Sequence, residues 1–243
     1  MGILSGAGAA FAAFIAGLVP VLVWLAFWLF EDSKKPEPKS ALLAAFFAGM
    51  LGVLVVLPFQ AFAARYLPIG FWLLLSWAAT EEITKFLIAW IVVLRRPSAD
   101  EPIDMPIYLI TTALGFSALE NALFLFSPIL SGHFLQGVAT GDLRFIGATL
   151  IHVLGSSVIG GALAFAFYRE QNAKILYGSI GVILALLLHT IFNSLILFSG
   201  GGAALTVFLG VWMGIVFLLL ALERVKRIER PAWWQKAFLR RNS

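Results

Sequence analysis

Thr80-Glu81-Glu82-Ile83-Thr84-Lys85 interrupts a hydrophobic run that extends from about Gly70 to Leu94. A charged side chain at the centre of a membrane helix costs about 2.5–3.5 kcal/mol on insertion scales, so such residues face a polar interior and mark a functional path. Glu81, Glu82 and Lys85 therefore predict a helix enclosed by others that supply partners for them. Composition supports a membrane setting: the 243 residues are 61% hydrophobic and only 12% charged, with a mean hydropathy of +0.96. Soluble domains carry about a quarter charged residues.

Working outward, seven runs reach the length that a membrane helix needs, about 20 apolar residues. They lie near 7–30, 41–63, 68–94, 105–130, 144–168, 175–198 and 202–222. The fold class is all-α, a polytopic transmembrane helix bundle of about seven helices. The short connections leave no room for a soluble domain, so 1–222 reads as one transmembrane domain with a catalytic core over 70–198. Residues 223–243 read as a basic tail. The first run lacks a basic n-region and is too long for a signal-peptide core, so it reads as a retained helix. With no cysteine, disulfides, thiol nucleophiles and thiolate metal sites are excluded.

Charge placement sets the topology. Lys34, Lys35, Lys39, Arg95, Arg96, Arg169, Lys174 and the tail residues Arg224, Lys226, Arg227, Arg230, Lys236, Arg240 and Arg241 fall on one side; only Arg65 and Arg144 fall on the other. This predicts an outside N-terminus and a cytoplasmic C-terminus. The tail adds Trp233, Trp234, Phe238 and Leu239 among its basic residues, which suits an interfacial segment on anionic lipid. Basic residues beside a membrane span are topological anchors, and no nucleic-acid partner is expected. Trp24 and Trp28 read as interfacial anchors, and Ser40 as the cap of the second helix. The first two runs carry no chemistry; Gln60 is the one polar exception in the second.

The third to sixth runs each carry polar groups where lipid would reject them. These are Glu81, Glu82 and Lys85; Glu120 and Asn121; His152 with Ser156 and Ser157; and His189 with Asn193. At 1.5 Å rise per residue, Glu81 lies about 18 Å below the outer face, Glu120 about 15 Å, His152 about 12 Å and His189 about 14 Å. Four helices thus deliver carboxylates and imidazoles to one layer in the outer half of the bilayer. Lys85 can pair with either carboxylate of its helix, and the helix argument favours Glu82 as the freer of the two. His189 and Asn193 share a face. His133 falls in a loop and faces solvent. Gly155, Gly160, Gly161 and Ala164 give the fifth run a small-residue face.

A base, a second carboxylate, two imidazoles and an amide are what water-activated hydrolysis of a peptide bond needs. The HExxH, GxSG and GxGD signatures of other intramembrane proteases are absent from the sequence. Glu81-Glu82-x-x-Lys85, Phe116-x-x-x-Glu120-Asn121, His152 followed by Gly160, and His189-x-x-x-Asn193 resemble, in order and spacing, the four motifs of the PrsW family of intramembrane proteases. That family is distantly similar to the CAAX prenyl endopeptidases and to the Aph-1 subunit of gamma-secretase. The resemblance covers about Ser76 to Ser194. It implies an endopeptidase in a bacterial or archaeal plasma membrane, acting on a single-pass membrane protein such as an anti-sigma factor. Carried over by position, Glu81 resembles the water-activating glutamate, supported by Glu82 and Lys85, while His189 and Asn193 resemble an oxyanion-steadying pair. Where the CAAX enzymes have a histidine, this chain has Glu120.

Two mechanisms remain open at this point. In one, Glu120, His152 and His189 hold zinc and Glu81 is the base; in the other, no metal is present. Three rival functions also remain: a non-catalytic Aph-1-like scaffold; a transporter, although neither inverted repeats nor a central proline in the third to sixth runs support one; and a haem protein using His152 and His189 as axial ligands.

Overall fold

The computed structural model describes residues 6–31, 35–199, 202, 204–232 and 234, with the side chains of 31, 134–146 and 204 excepted. Seven α-helices are present among them: α1 (Gly6–Glu31), α2 (Lys39–Tyr66), α3 (Phe71–Ala89), α4 (Asp104–Leu130), α5 (Phe134–Phe165), α6 (Gln171–Phe198) and α7 (Ala204–Val225). A single π turn, Trp90–Leu94, continues α3. Six of the seven are long and apolar enough to cross a membrane. The exception is α3, the helix that carries Glu81, Glu82 and Lys85.

The bundle is built around α4, every residue of which from Asp104 to Ala118 is buried. Helices α1, α2, α3 and α5 pack against it, α6 packs on α5 and α3, and α7 lies on α5. A helix can be enclosed this fully only if its own polar groups are satisfied. Thr111 and Thr112 donate to the carbonyls of Ile107 and Tyr108 at 2.8 and 2.9 Å. Small residues set how closely neighbours approach: a Cβ on Gly49 of α2 would collide with the Thr112 backbone, and one on Gly115 of α4 with the Phe46 backbone.

Several elements differ from expectation. The fifth helix begins at Phe134 rather than near 144; Gln136, Thr140, Asp142 and Arg144 interrupt the apolar run there without interrupting the helix. Trp28 is 1% exposed and belongs to the core, because α1 packs on α4 along its length and turns that ring inward. Trp24 packs against Trp212 with ring centroids 5.8 Å apart and planes tilted by 51°. Ser40 does not cap α2; the helix starts at Lys39 after Pro38, whose carbonyl accepts from Ala41 and Leu42. In α5, Gly160 makes a close approach, to the backbone of Pro106, whereas Gly161 faces open space.

One end of the bundle gathers the loops expected to be cytoplasmic. Lys35 pairs with Glu101, Arg230 lies 3.6 Å from Asp100, and Trp234 packs edge-on against Tyr168 at 5.4 Å. Buried Tyr108 donates to Glu37, which fastens the α1–α2 connection to α4. The rest of the expected interfacial tail, including Trp233, Phe238 and Leu239, lies outside the described residues.

The tight crossing of α2 and α4 gives a direct test. Gly49→Ala and Gly115→Ala are each expected to cost about 1–3 kcal/mol through overpacking, read as a lower midpoint of thermal unfolding in lipid. Gly161→Ala is expected to stay within about 0.5 kcal/mol of the wild-type protein. Equal midpoints for the three variants would contradict the crossing.

Candidate active site

Successive turns of α3 place Glu81, Glu82 and Lys85 on its buried side, at 5%, 0% and 0% exposure. Lys85 has no route to water, so its ammonium must find acceptors inside the bundle. It donates to Glu82 Oε1 at 2.6 Å and to His152 Nδ1 at 2.9 Å, and lies 5.4 Å from the Phe116 ring centroid. Lys85 therefore pairs with Glu82, and Glu81 is the freer carboxylate. This reverses the sequence expectation: Glu82 points toward α5 and α6, where Gly155 leaves room for it at 3.2 Å from the position a Cβ would take. Glu81 points toward α2.

Donor and acceptor logic assigns the His152 tautomer and places one proton on His189. An ammonium can only donate, so His152 Nδ1 accepts from Lys85, and His152 Nε2–H donates to Glu120 Oε2 at 2.9 Å. His189 Nδ1–H donates to Glu82 Oε1 at 2.7 Å, and its Nε2 faces Glu81 Oε2, 3.6 Å away. Glu81 Oε2 is also 4.0 Å from His152 Nδ1; it is buried and has no hydrogen-bond partner. One ligand atom from each of Glu81, His152 and His189 fits within a sphere of mutual distances below 4.8 Å. The imidazoles meet edge to face with centroids 5.0 Å apart, too close for a macrocycle between them, which removes the haem reading.

Glu120, expected in the ligand set, lies behind His152 instead, with its side chain 19% exposed. Asn121 donates to Thr149 at 3.1 Å and ties α4 to α5. Asn193 is half-buried, and among the described residues no hydrogen bond joins it to the cluster. His133 is exposed at the start of α5, as expected. Sequence reasoning dismissed Gln60, yet its Nε2 donates to Glu81 Oε1 at 2.6 Å, and its backbone carbonyl accepts from Trp77 Nε1 at 3.1 Å. A lone amide in an otherwise apolar helix was the available signal.

A cleft of about 180 Å³ opens beside Glu81 between α2, α3 and α4, lined among others by Val56, Leu57, Gln60, Glu120 and Phe124. Glu81 and Glu120 reach it; Glu82, locked behind Lys85 and His189, does not line it.

Comparison with known proteins adds to this geometry. Residues 37–221 match the model of the PrsW family of intramembrane metalloproteases. A protein named Protease PrsW from Geobacillus kaustophilus is 27% identical over 228 residues, covering 90% of this chain and 93% of that protein. One of the same name from Bacillus subtilis is 28% identical, covering 74% and 80%, and one from Oceanobacillus iheyensis is 26% identical, covering 62% and 64%. No solved structure matches the chain. A family match over most of the length, a polytopic helical bundle and buried carboxylates grouped with imidazoles converge on one conclusion: this chain belongs to the PrsW family of intramembrane metalloproteases and is a multi-pass intramembrane protease of the cell membrane.

Proposed function

We propose that the chain hydrolyses a peptide bond of a single-pass membrane protein in the outer half of the bilayer, with zinc held by Glu81, His152 and His189 and the proton of water taken by Glu120. The observation that carries this reading is Glu81 Oε2, a buried carboxylate oxygen without a hydrogen-bond partner, facing Nε2 of His189 at 3.6 Å. Two acceptors at that spacing are stable only with a positive charge between them, a proton or a metal cation. Both imidazoles also donate their other nitrogen to a carboxylate, His152 to Glu120 and His189 to Glu82, the outer contacts that orient metal-binding histidines. Glu81, Glu82 and Glu120 share the cluster with one ammonium, that of Lys85, an excess of carboxylates that a divalent cation would balance.

Two imidazoles and one carboxylate are a catalytic zinc donor set that leaves one position for water. Tetrahedral ligands about 2.0–2.2 Å from such an ion stand about 3.3–3.6 Å apart, close to the 3.6 and 4.0 Å separations of Glu81 Oε2 from the two ring nitrogens. A cation bound there polarises the substrate carbonyl and acidifies water. The remaining chemistry belongs to the chain's own residues. Glu120 takes a proton from water as the water oxygen bonds to the carbonyl carbon, and returns it to the departing amine as the C–N bond breaks. His152 holds Glu120 in place, and Gln60 holds Glu81. Lys85 fixes Glu82, which in turn orients the His189 ring. Glu81 and Glu120 thus exchange the roles expected from sequence.

A second reading is supported by the Lys85–His152 contact, which occupies the Nδ1 lone pair that a metal would use. In it no metal is present, and Glu81 itself takes the proton from water. The protein purified in lipid separates the two. On the first reading it carries about one zinc per chain by elemental analysis, Glu81→Gln and His189→Ala lose both metal and cleavage of single-pass substrates, and a chelator stops the wild type. Cleavage by a metal-free, chelator-resistant protein would sink the zinc assignment in favour of Glu81 as base.

Glu120→Gln is expected to keep its metal and lose about 10²–10⁴-fold in kcat; wild-type turnover in that variant would remove Glu120 from the role of base. For Gln60→Ala, a loss of about 10–100-fold in activity or metal affinity is expected. A fully active variant would show that Gln60 does not orient Glu81.

A further inference from the structure

We infer that the cleft between the outer parts of α2 and α4 is the seat of the substrate, and that it takes one apolar side chain flanking the scissile bond of a locally unwound membrane segment. This rests on the hydrolytic reading of the Glu81 site. The cleft follows from how the two helices diverge. They are in backbone contact where Gly49 meets Thr112 and Gly115 meets Phe46. About two to three turns further along each helix, the space between Leu57 and Gln60 on one side and Glu120 and Phe124 on the other opens to about 180 Å³.

The rim of the cleft faces lipid: Leu57 is 43% exposed, Leu123 44% and Phe124 47%. The inner walls, Val53, Val56 and Phe116, are at 3%, 1% and 1%, and Glu81 stands at its end. The other approaches to Glu81 are taken by His152 of α5, His189 of α6 and the Glu82–Lys85 pair. A segment lying in the bilayer therefore reaches the carboxylate from the α2–α4 side without crossing another helix.

Size then decides the conformation of what enters. A helix with side chains is about 10–12 Å across, far too wide for a cavity of this volume, whereas a single large apolar side chain fits within it. Unwinding exposes peptide N–H and C=O groups that lipid cannot satisfy, and Glu120 and Gln60 line the cleft with polar groups at that level. The substrate class is thus a membrane-spanning segment weak in helix at the cut and apolar beside it.

The test uses the full chain in lipid with a panel of single-pass peptides that differ only in the residue flanking the scissile bond: Gly, Ala, Leu, Phe or Asp. Wild type is expected to favour Leu over Gly and over Asp by at least about 10-fold in kcat/KM. Leu57→Trp, which narrows the mouth, should shift the Leu-to-Ala ratio toward Ala by about 10-fold, and Leu123→Ala, which widens it, should raise the Phe-to-Leu ratio. If Leu57→Trp stops all cleavage, the Leu123→Ala ratio decides alone. Unchanged ranking in the variants, with Glu81→Gln inactive, would overturn the cleft assignment and leave the hydrolytic site intact. A Glu81→Gln variant as active as wild type would overturn both.

Discussion

The ion pair between Lys85 and Glu82, fully withdrawn from solvent, is the constraint from which the rest of the site follows. Removing two such charges from water costs several kcal/mol per ion, and attraction repays that only where further hydrogen bonds fill the remaining positions. Each partner here has a second contact: Lys85 reaches His152, and Glu82 Oε1 receives His189 as well as Lys85, although Glu82 Oε2 is buried without a hydrogen-bond partner. Those two contacts orient both imidazoles and so aim His189 Nε2 at Glu81. Taking Lys85 away would strand Glu82 and release His152 together, so the pair acts as one unit rather than as a separable support.

Holding this pair requires a helix that lipid would reject to be surrounded by helices that lipid accepts. Helix α3 touches α2, α4, α5 and α6, and α4 forms the axis against which most of these are packed. Burial of α4 is possible because its threonines satisfy themselves along the helix and because Gly115 admits the α2 backbone. The same crossing that closes α2 onto α4 at one level lets them part at the next, where Glu81 is reached. Core packing and access to the site are consequences of a single helix–helix angle.

Much of this was legible because the bilayer imposes a simple code. Runs of apolar residues found all seven helices, and charges inside those runs found Glu81, Glu82, Lys85, Glu120, His152 and His189, which the fold brings together. Hydropathy reports lipid contact rather than helix ends, which is why the start of α5 came late. It also cannot say which face of a helix meets protein, so Trp28 looked like an anchor while it fills the core. Pair choice was illegible for a related reason: Lys85 is in register with both glutamates, and only the position of α5 and α6 directs Glu82 inward. Asn121 and Asn193 share the spacing of the cluster but not its contacts: Asn121 is turned to Thr149, and among the described residues no hydrogen bond joins Asn193 to the cluster.

Gln60 shows what the code misses. One uncharged amide in an apolar helix carries too little polarity to stand out, yet it satisfies one oxygen of Glu81 and leaves the other without a donor. A buried acceptor left unpaired costs about 1–3 kcal/mol, a cost that persists in a stable fold where function requires it. The enclosing contacts explain how the fold tolerates it: Glu81 is fixed by α2, backed by α3 and faced by α5 and α6. The carboxylate therefore cannot rotate to relieve the orphaned oxygen without breaking the Gln60 bond, and the site stays poised with that oxygen directed at His189, beside the cleft that opens toward lipid.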